Sequence, residues 1–189
     1  MKRLAVYCGS SMGADPLFAG TARSLGDEMA RRGIDLVYGG GHRGLMGVVA
    51  DAVLAGGGKV FGVIPQALVD LEVAHTGLTE LHTVTSMHER KAKMTELTDA
   101  FIAIPGGIGT LDELFEAWTW NALGYHSKPF CLLNVAGFWD KMIAFLDHVT
   151  ASGFMSPERR AQLLVAHSIA EAVEKLDEAE KAAETRMVW

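Results

Sequence analysis

At 189 residues the chain is long enough for one domain with a sizeable core. Its 49% hydrophobic and 21% charged residues are those of an ordinary globular protein. The formal net charge is −6 and no dense Lys/Arg run appears, which argues against a general nucleic-acid or anionic-membrane binder. Two cysteines, Cys8 and Cys131, make no disulfide framework, and the seven histidines show no metal-ligand spacing.

The N-terminal "MKRLAVYCGS" enters a strand at once, with no signal-peptide pattern, and no stretch is apolar for long enough to span a bilayer. The expectation is a reduced, cytoplasmic protein. "RLAVYC" reads as the first strand. Pro16 to Arg32 reads as a helix, with Asp15 as N-cap, Pro16 at its first position and Gly33 as its stop. "IDLVYGG" is the second strand, Gly44 to Ala55 a helix, and "KVFGVIP" the third strand. Residues 66–80 read as an irregular connection. "LHTVT" is a short strand and His88 to Thr98 a helix that Ser86 and Glu89 open as a capping box. "AFIAIP" is a fifth strand, Leu111 to Leu123 a helix, "PFCLLN" a sixth strand and Phe138 to Ala151 a helix. From about residue 157 two helical segments flank a short extended piece.

Continuous apolar strands alternating with helices predict a Rossmann-like, doubly wound parallel sheet flanked by helices, in one domain over residues 1–189. Ligands of such folds bind beyond the carboxyl ends of the strands. Three of those ends here are rich in small residues: "CGSS", "YGGGHRGLMG" and "PGGIGT".

The second contains Gly39-x-Gly41-x-x-Gly44, the spacing of a dinucleotide fingerprint. The acidic residue expected about twenty positions on is missing from "KVFGVIP", which argues against a nicotinamide dehydrogenase. Gly9, Ser10, Gly40 and Gly41 remain candidates to line a phosphate crevice, with Met87 close enough to join them. His42 and Arg43 could add charge, although each reads first as a surface loop residue. Arg90 and Lys91 sit near a helix N-terminus, where the dipole disfavours cations. That local cost points either to an outside anion or to two solvated charges. In "PGGIGTLDE" Thr110 and Glu113 fit a second capping box. Glu113 therefore has two readings. It folds back onto the Thr110 amide, or it addresses a sugar whose phosphate takes the Gly106–Thr110 amides.

"SMHERKAKM" together with PGGxGTxxE, the leading "AVYCGSS", "YGGGHRGLMGVVADA" and "KPFCLLNVAGFWD" resembles the LOG ("lonely guy") family. Its members are cytokinin riboside 5′-monophosphate phosphoribohydrolases, also carried under the label "lysine decarboxylase-like". The resemblance covers essentially Arg3 to His167. It implies hydrolysis of the N-glycosidic bond of an N6-modified adenosine 5′-monophosphate to free base and ribose 5-phosphate. By motif it assigns Arg90 and Glu113 to catalysis. It assigns Glu72, Arg90, Lys91, Gly106, Gly107, Ile108, Gly109, Thr110, Leu111, Asp112, Glu113 and Thr119 to substrate binding. It also implies a homodimer with sites near the interface. No metal or organic cofactor is expected, and no lysine lies on a motif that would hold pyridoxal phosphate as a Schiff base. The rivals are a broader AMP or nucleoside-monophosphate nucleosidase, and a non-catalytic nucleotide or molybdenum-cofactor carrier built on the same crevice.

Overall fold

Strand β1 (Arg3–Tyr7) lies at the centre of a seven-stranded sheet whose order is β4-β3-β2-β1-β5-β6-β7 in this computed structural model, which describes residues 1–71 and 74–186. The other strands are β2 (Asp35–Tyr38), β3 (Val60–Pro65), β4 (Glu80–Val84), β5 (Ala100–Ala103), β6 (Phe130–Leu133) and β7 (Leu163–Ala166). Every pairing between them is parallel. The expected Rossmann-like sheet is present, and the extended piece after residue 157 is its seventh strand.

The strands read as unbroken apolar runs because helices cover both faces. Leu4 and Val6 of β1 point into one core, where Leu25 and Met29 of α1 (Pro16–Arg32), Val49 and Val53 of α2 (Gly44–Ala55) and Val173 and Leu176 of α8 (Ile169–Arg186) meet. Ala5 and Tyr7 point into the other, with Met94 of α4 (Met87–Leu97), Leu114 and Trp118 of α5 (Ile108–Ala122) and Leu146 of α6 (Asp140–Ala151). Strand β4 differs: as an edge strand it leaves Glu80, Leu81 and Thr83 exposed. Helix α7 (Pro157–Ala161) precedes β7.

Helix α1 has the predicted limits. The Asp15 carboxylate accepts from the Leu17 N–H, and Gly33 closes the last turn at φ 68°, a conformation that costs glycine nothing. The connection after β3 is not wholly irregular, since its start forms the short helix α3 (Gln66–Val69). The helix expected from Phe138 begins at Asp140, after a 3₁₀ turn over Val135–Gly137.

The largest departure is at α5, which starts at Ile108 instead of Leu111. Its N-cap is Gly107, and no side chain caps it. Thr110 is therefore inside the first turn and not at its boundary. The Thr110 hydroxyl packs so closely over Gly106 that a Cβ there would overlap it. A cap-like spacing had marked the wrong start, because the glycines that lower helix propensity at residues 107 and 109 are nonetheless part of the cap and first turn.

Candidate active site

The order of the parallel strands reverses at β1: β2, β3 and β4 are laid down on one side of it and β5, β6 and β7 on the other. In-register pairs such as Ala5 with Val37 and Tyr7 with Ala103 bring the loops after β1, β2 and β5 to one edge. Backbone bonds tie them together: the Gly9 N–H donates to the Pro105 carbonyl at 3.1 Å, and the Leu45 N–H to the Gly9 carbonyl at 3.0 Å. Between them opens a crevice of about 570 Å³. It is lined by Cys8 to Ser11, Gly39, Gly41, Arg43, Met46, Ile64, Leu68, Arg90, Gly107 to Thr110, and Glu113.

Arg90 and Glu113 meet on its floor. Arg90 projects from the first turns of α4, and its Nη1 lies 3.2 Å from Glu113 Oε1 on α5. Its Nε donates to the Val63 carbonyl at 3.0 Å and its Nη2 to the Gly39 carbonyl at 3.3 Å. The two residues are only 7% and 8% exposed. The guanidinium thus spans the ends of β2 and β3 and holds one face of the carboxylate. Burial pushes the Glu113 carboxyl above the ordinary glutamate range, with Arg90 pulling the other way. Burial also raises the Cys8 thiol, which leaves it protonated and inert.

Gly39 is the socket for this arrangement. A Cβ at that position would overlap the Arg90 Nη2. The glycine of the fingerprint-like triplet therefore makes room for the protein's own arginine.

The sequence argument about Arg90 and Lys91 needs correction. Both cations near the α4 N-terminus are compensated from within the chain, and no outside anion has to be invoked. Arg90 faces Glu113. Lys91 Nζ pairs with Asp112 at 3.0 Å and closely with Glu116. Glu113 likewise does not close a cap on Thr110, because its carboxylate turns toward Arg90. The capping box at α4 is real: the Ser86 hydroxyl accepts from the Glu89 N–H, and the Glu89 carboxylate accepts from the Thr85 N–H and hydroxyl.

Of the residues singled out from sequence, Arg90, Glu113, Gly107, Ile108, Gly109, Thr110, Gly9, Ser10 and Gly41 line one crevice. Lys91, Gly106, Leu111, Asp112, Thr119, Gly40 and Met87 are not part of that lining. Thr119 donates its hydroxyl to the Phe115 carbonyl of its own helix. Met87 rests its sulfur 3.9 Å from Arg90 Nη1. Gly40 accepts from the His75 N–H through its carbonyl. Glu72 lies outside the described residues. Met46, Ile64 and Leu68 form an apolar wall that no motif announced, since they come from three separate elements. Arg43 also lines the crevice, a stronger placement than its loop position suggested.

The α5 N-terminus presents amides that lack intrahelical partners, and no side chain caps them. A Cβ at Gly107 or Gly109 would meet no atom within 4 Å. Gly107 has a negative φ and Gly109 lies in the helix, so neither glycine is required by backbone conformation or by packing within the chain. Among the described residues no cluster of three or more His, Cys, Asp or Glu could hold a metal ion. No lysine lines the crevice, so it does not fit pyridoxal phosphate held as a Schiff base.

Fold and crevice together define a Rossmann-like α/β protein with a buried Arg–Glu pair under an uncapped helix N-terminus. The chain belongs to the LOG family: a family model described as "Possible lysine decarboxylase" matches residues 46–176. It is 47% identical over its full length to "Cytokinin riboside 5′-monophosphate phosphoribohydrolase LOG" of Oryza sativa subsp. japonica, spanning 78% of that protein. To the LOG7 phosphoribohydrolase of Arabidopsis thaliana it is 46% identical, again over its whole length and 88% of that protein. Among solved structures it resembles the molybdenum cofactor binding protein of Rippkaea orientalis, with a TM-score of 0.71 at 21% identity over 94% of this chain and 96% of that one. The molybdenum cofactor carrier protein of Chlamydomonas reinhardtii gives 0.69 at 17% identity, over 94% and 97%. At these identities the likeness is one of fold.

Proposed function

We propose that the protein hydrolyses the N-glycosidic bond of an adenosine 5′-monophosphate, with an N6-modified base as the preferred substrate, to give free base and ribose 5-phosphate. The observation that carries this reading is the buried Arg90–Glu113 pair lining the crevice beneath the α5 N-terminus. The curated relatives named above are phosphoribohydrolases, which supports the same reaction class.

The phosphate takes the amides of Gly107 to Thr110, where the helix dipole and unpaired N–H groups favour an anion. Glu113, one turn further, addresses the ribose. As the C1′–N bond breaks, its electron pair leaves with the base and positive charge builds on the sugar. The carboxylate stabilises that charge and accepts a proton from the attacking water, whose hydroxyl ends on C1′. The departing base gains one proton in the overall reaction. Arg90 keeps Glu113 ionised and oriented within a setting that otherwise favours its neutral form. Binding energy from the phosphate positions the reacting carbon. None of these steps calls on a metal or an organic cofactor.

The remaining assignments, Glu72, Lys91, Gly106, Leu111, Asp112 and Thr119, rest on the family motif. The same resemblance supports a homodimer. Support comes from α5 and its end, where Ile108, Phe115 and Leu123 stay exposed. Light scattering that returns a monomer mass across working concentrations rules this dimer out. A cytoplasmic setting fits two buried thiols left unpaired.

The test is to incubate the protein with purine and pyrimidine 5′-monophosphates and the matching nucleosides, and to identify released bases by chromatography. The expected pattern is release from adenine nucleotides, fastest with an N6 substituent, and far slower release from nucleosides. Equal turnover of nucleoside and nucleotide removes the phosphate handle, and binding without release makes the protein a carrier.

A further inference from the structure

The crevice contains two guanidinium groups, and only one of them has a partner. Arg90 is fully committed: three of its nitrogens face Val63, Gly39 and Glu113, and the carboxylate neutralises its charge. Lys91 is balanced by Asp112 and Glu116, away from the crevice lining. Neither offers a net positive charge to a ligand. A phosphate dianion entering a chain of net charge −6 still needs one.

Arg43 supplies it. It lines the crevice and is exposed, and its side chain makes no hydrogen bond or ion pair among the described residues. It is the N-cap residue of α2, a helix whose N-terminus no side chain caps. A cation there is opposed by the helix dipole, and nothing in the described chain compensates it. The next residue, Gly44 at φ 62°, packs against the Ser10–Ser11 backbone so tightly that a Cβ would overlap it. With the Leu45–Gly9 hydrogen bond, this contact fixes the base of Arg43 beside the loop after β1, on the rim of the crevice.

We propose that Arg43 is the charge partner of the substrate's 5′-phosphate, completing from the β2 side the anion site that the α5 amides form from the β5 side. This rests on the reading of the crevice as a sugar-phosphate site. The cost of placing a cation at a helix start, offset at Arg90 and Lys91 by carboxylates of the chain, is left open at Arg43 and is relieved when the anion binds.

Ribose 5-phosphate is the probe, because it carries the phosphate and has no bond left to cleave. Its binding is titrated calorimetrically to the parent protein, to Arg43→Gln and to Arg43→Lys, with ribose and AMP alongside, at low and high salt. Loss of one exposed charge-assisted contact predicts about tenfold weaker binding of ribose 5-phosphate and AMP to Arg43→Gln, with partial recovery in Arg43→Lys. The salt dependence flattens in Arg43→Gln as a screened pair is removed. Ribose binding stays the same in all three proteins. If Arg43→Gln binds ribose 5-phosphate as tightly as the parent, the role of Arg43 is overturned and the sugar-phosphate reading stands. If the parent binds neither ribose 5-phosphate nor AMP, both fall. Unchanged melting temperatures show that no difference arises from unfolding.

Discussion

Two adjacent residues on α4 make three ion pairs with the same stretch of α5, and they do different things. Arg90 meets Glu113 in the crevice, both almost fully buried. Lys91 meets Asp112 and Glu116 outside its lining, with Asp112 over half exposed. One step along a helix turns a side chain by about 100°, enough to pass from one face to another. The charges are alike, but their surroundings are not. Burial raises the Glu113 carboxyl, so its ionised state depends on Arg90. The outer trio reaches water through Asp112, with Lys91 and Glu116 half-buried, and charges partly open to solvent contribute less than enclosed ones. Charge type alone does not single out the proposed catalytic pair; desolvation and a cavity beside it do.

The comparison breaks most sharply at Glu113. Glu113→Gln is expected to lower base release by at least about a hundredfold, the range for loss of a positioned acid–base or electrostatic group. Its melting temperature should stay close to that of the parent. Because the folded site raises the Glu113 pKa, it favours the neutral carboxyl over the ionised one, and Gln resembles the neutral form. Near-normal turnover in parallel chromatographic and thermal assays removes Glu113 from the chemistry.

Arg90→Ala should lose turnover and stability together. It strands a buried carboxylate and leaves the Val63 and Gly39 carbonyls without their donor, at a cost of about 3–5 kcal/mol. Denaturant titration measures this, and a loss below 1 kcal/mol, roughly the value of an exposed pair, returns the residue to the surface class.

pH separates activity from stability at the same residue. The acid limb of kcat should lie above the ordinary glutamate range, because burial raises Glu113. The stability linkage has the opposite sign. A carboxyl with a raised folded pKa contributes stability that is full below its unfolded pKa and is lost as pH rises through the folded one. Mild acid should therefore silence the enzyme without Glu113 itself promoting unfolding. In Glu113→Gln the residual rate should lack this limb, and an unchanged limb assigns it to another group.

The smallest effect belongs to the outer trio. Lys91→Gln should cost about 0.2–1 kcal/mol of stability and less than tenfold in turnover. A large rise in KM at an unchanged melting temperature would instead place Lys91 against the substrate.

Much of the fold was legible because local signals agreed. Asp15, Pro16 and Gly33 bound α1 by capping chemistry that needs no tertiary contact. Unbroken apolar strands separated by helices specified the parallel sheet, down to the extended piece that became β7. The start of α5 was misread because Thr110 and Glu113 mimic a cap, while the actual cap is a glycine with no side chain to announce itself. Arg90 and Glu113 were both singled out, yet their partnership was not visible. They are 23 positions apart and meet only when α4 and α5 pack against the same face of the sheet. The same blindness made Arg43 look like a plain loop residue: what sets it apart is the lack of a partner.

Gly39 makes the order of mutational change matter. A methyl group there displaces the Arg90 guanidinium from the two carbonyls it bridges. Gly39→Ala alone should thus silence the site from outside the proposed catalytic pair, while the same change made after Arg90→Ala meets only the flexible Met46 sulfur at 3.3 Å and does little further. Positions 39 and 90, 51 residues apart, form an epistatic unit in which the first step decides what the second can cost.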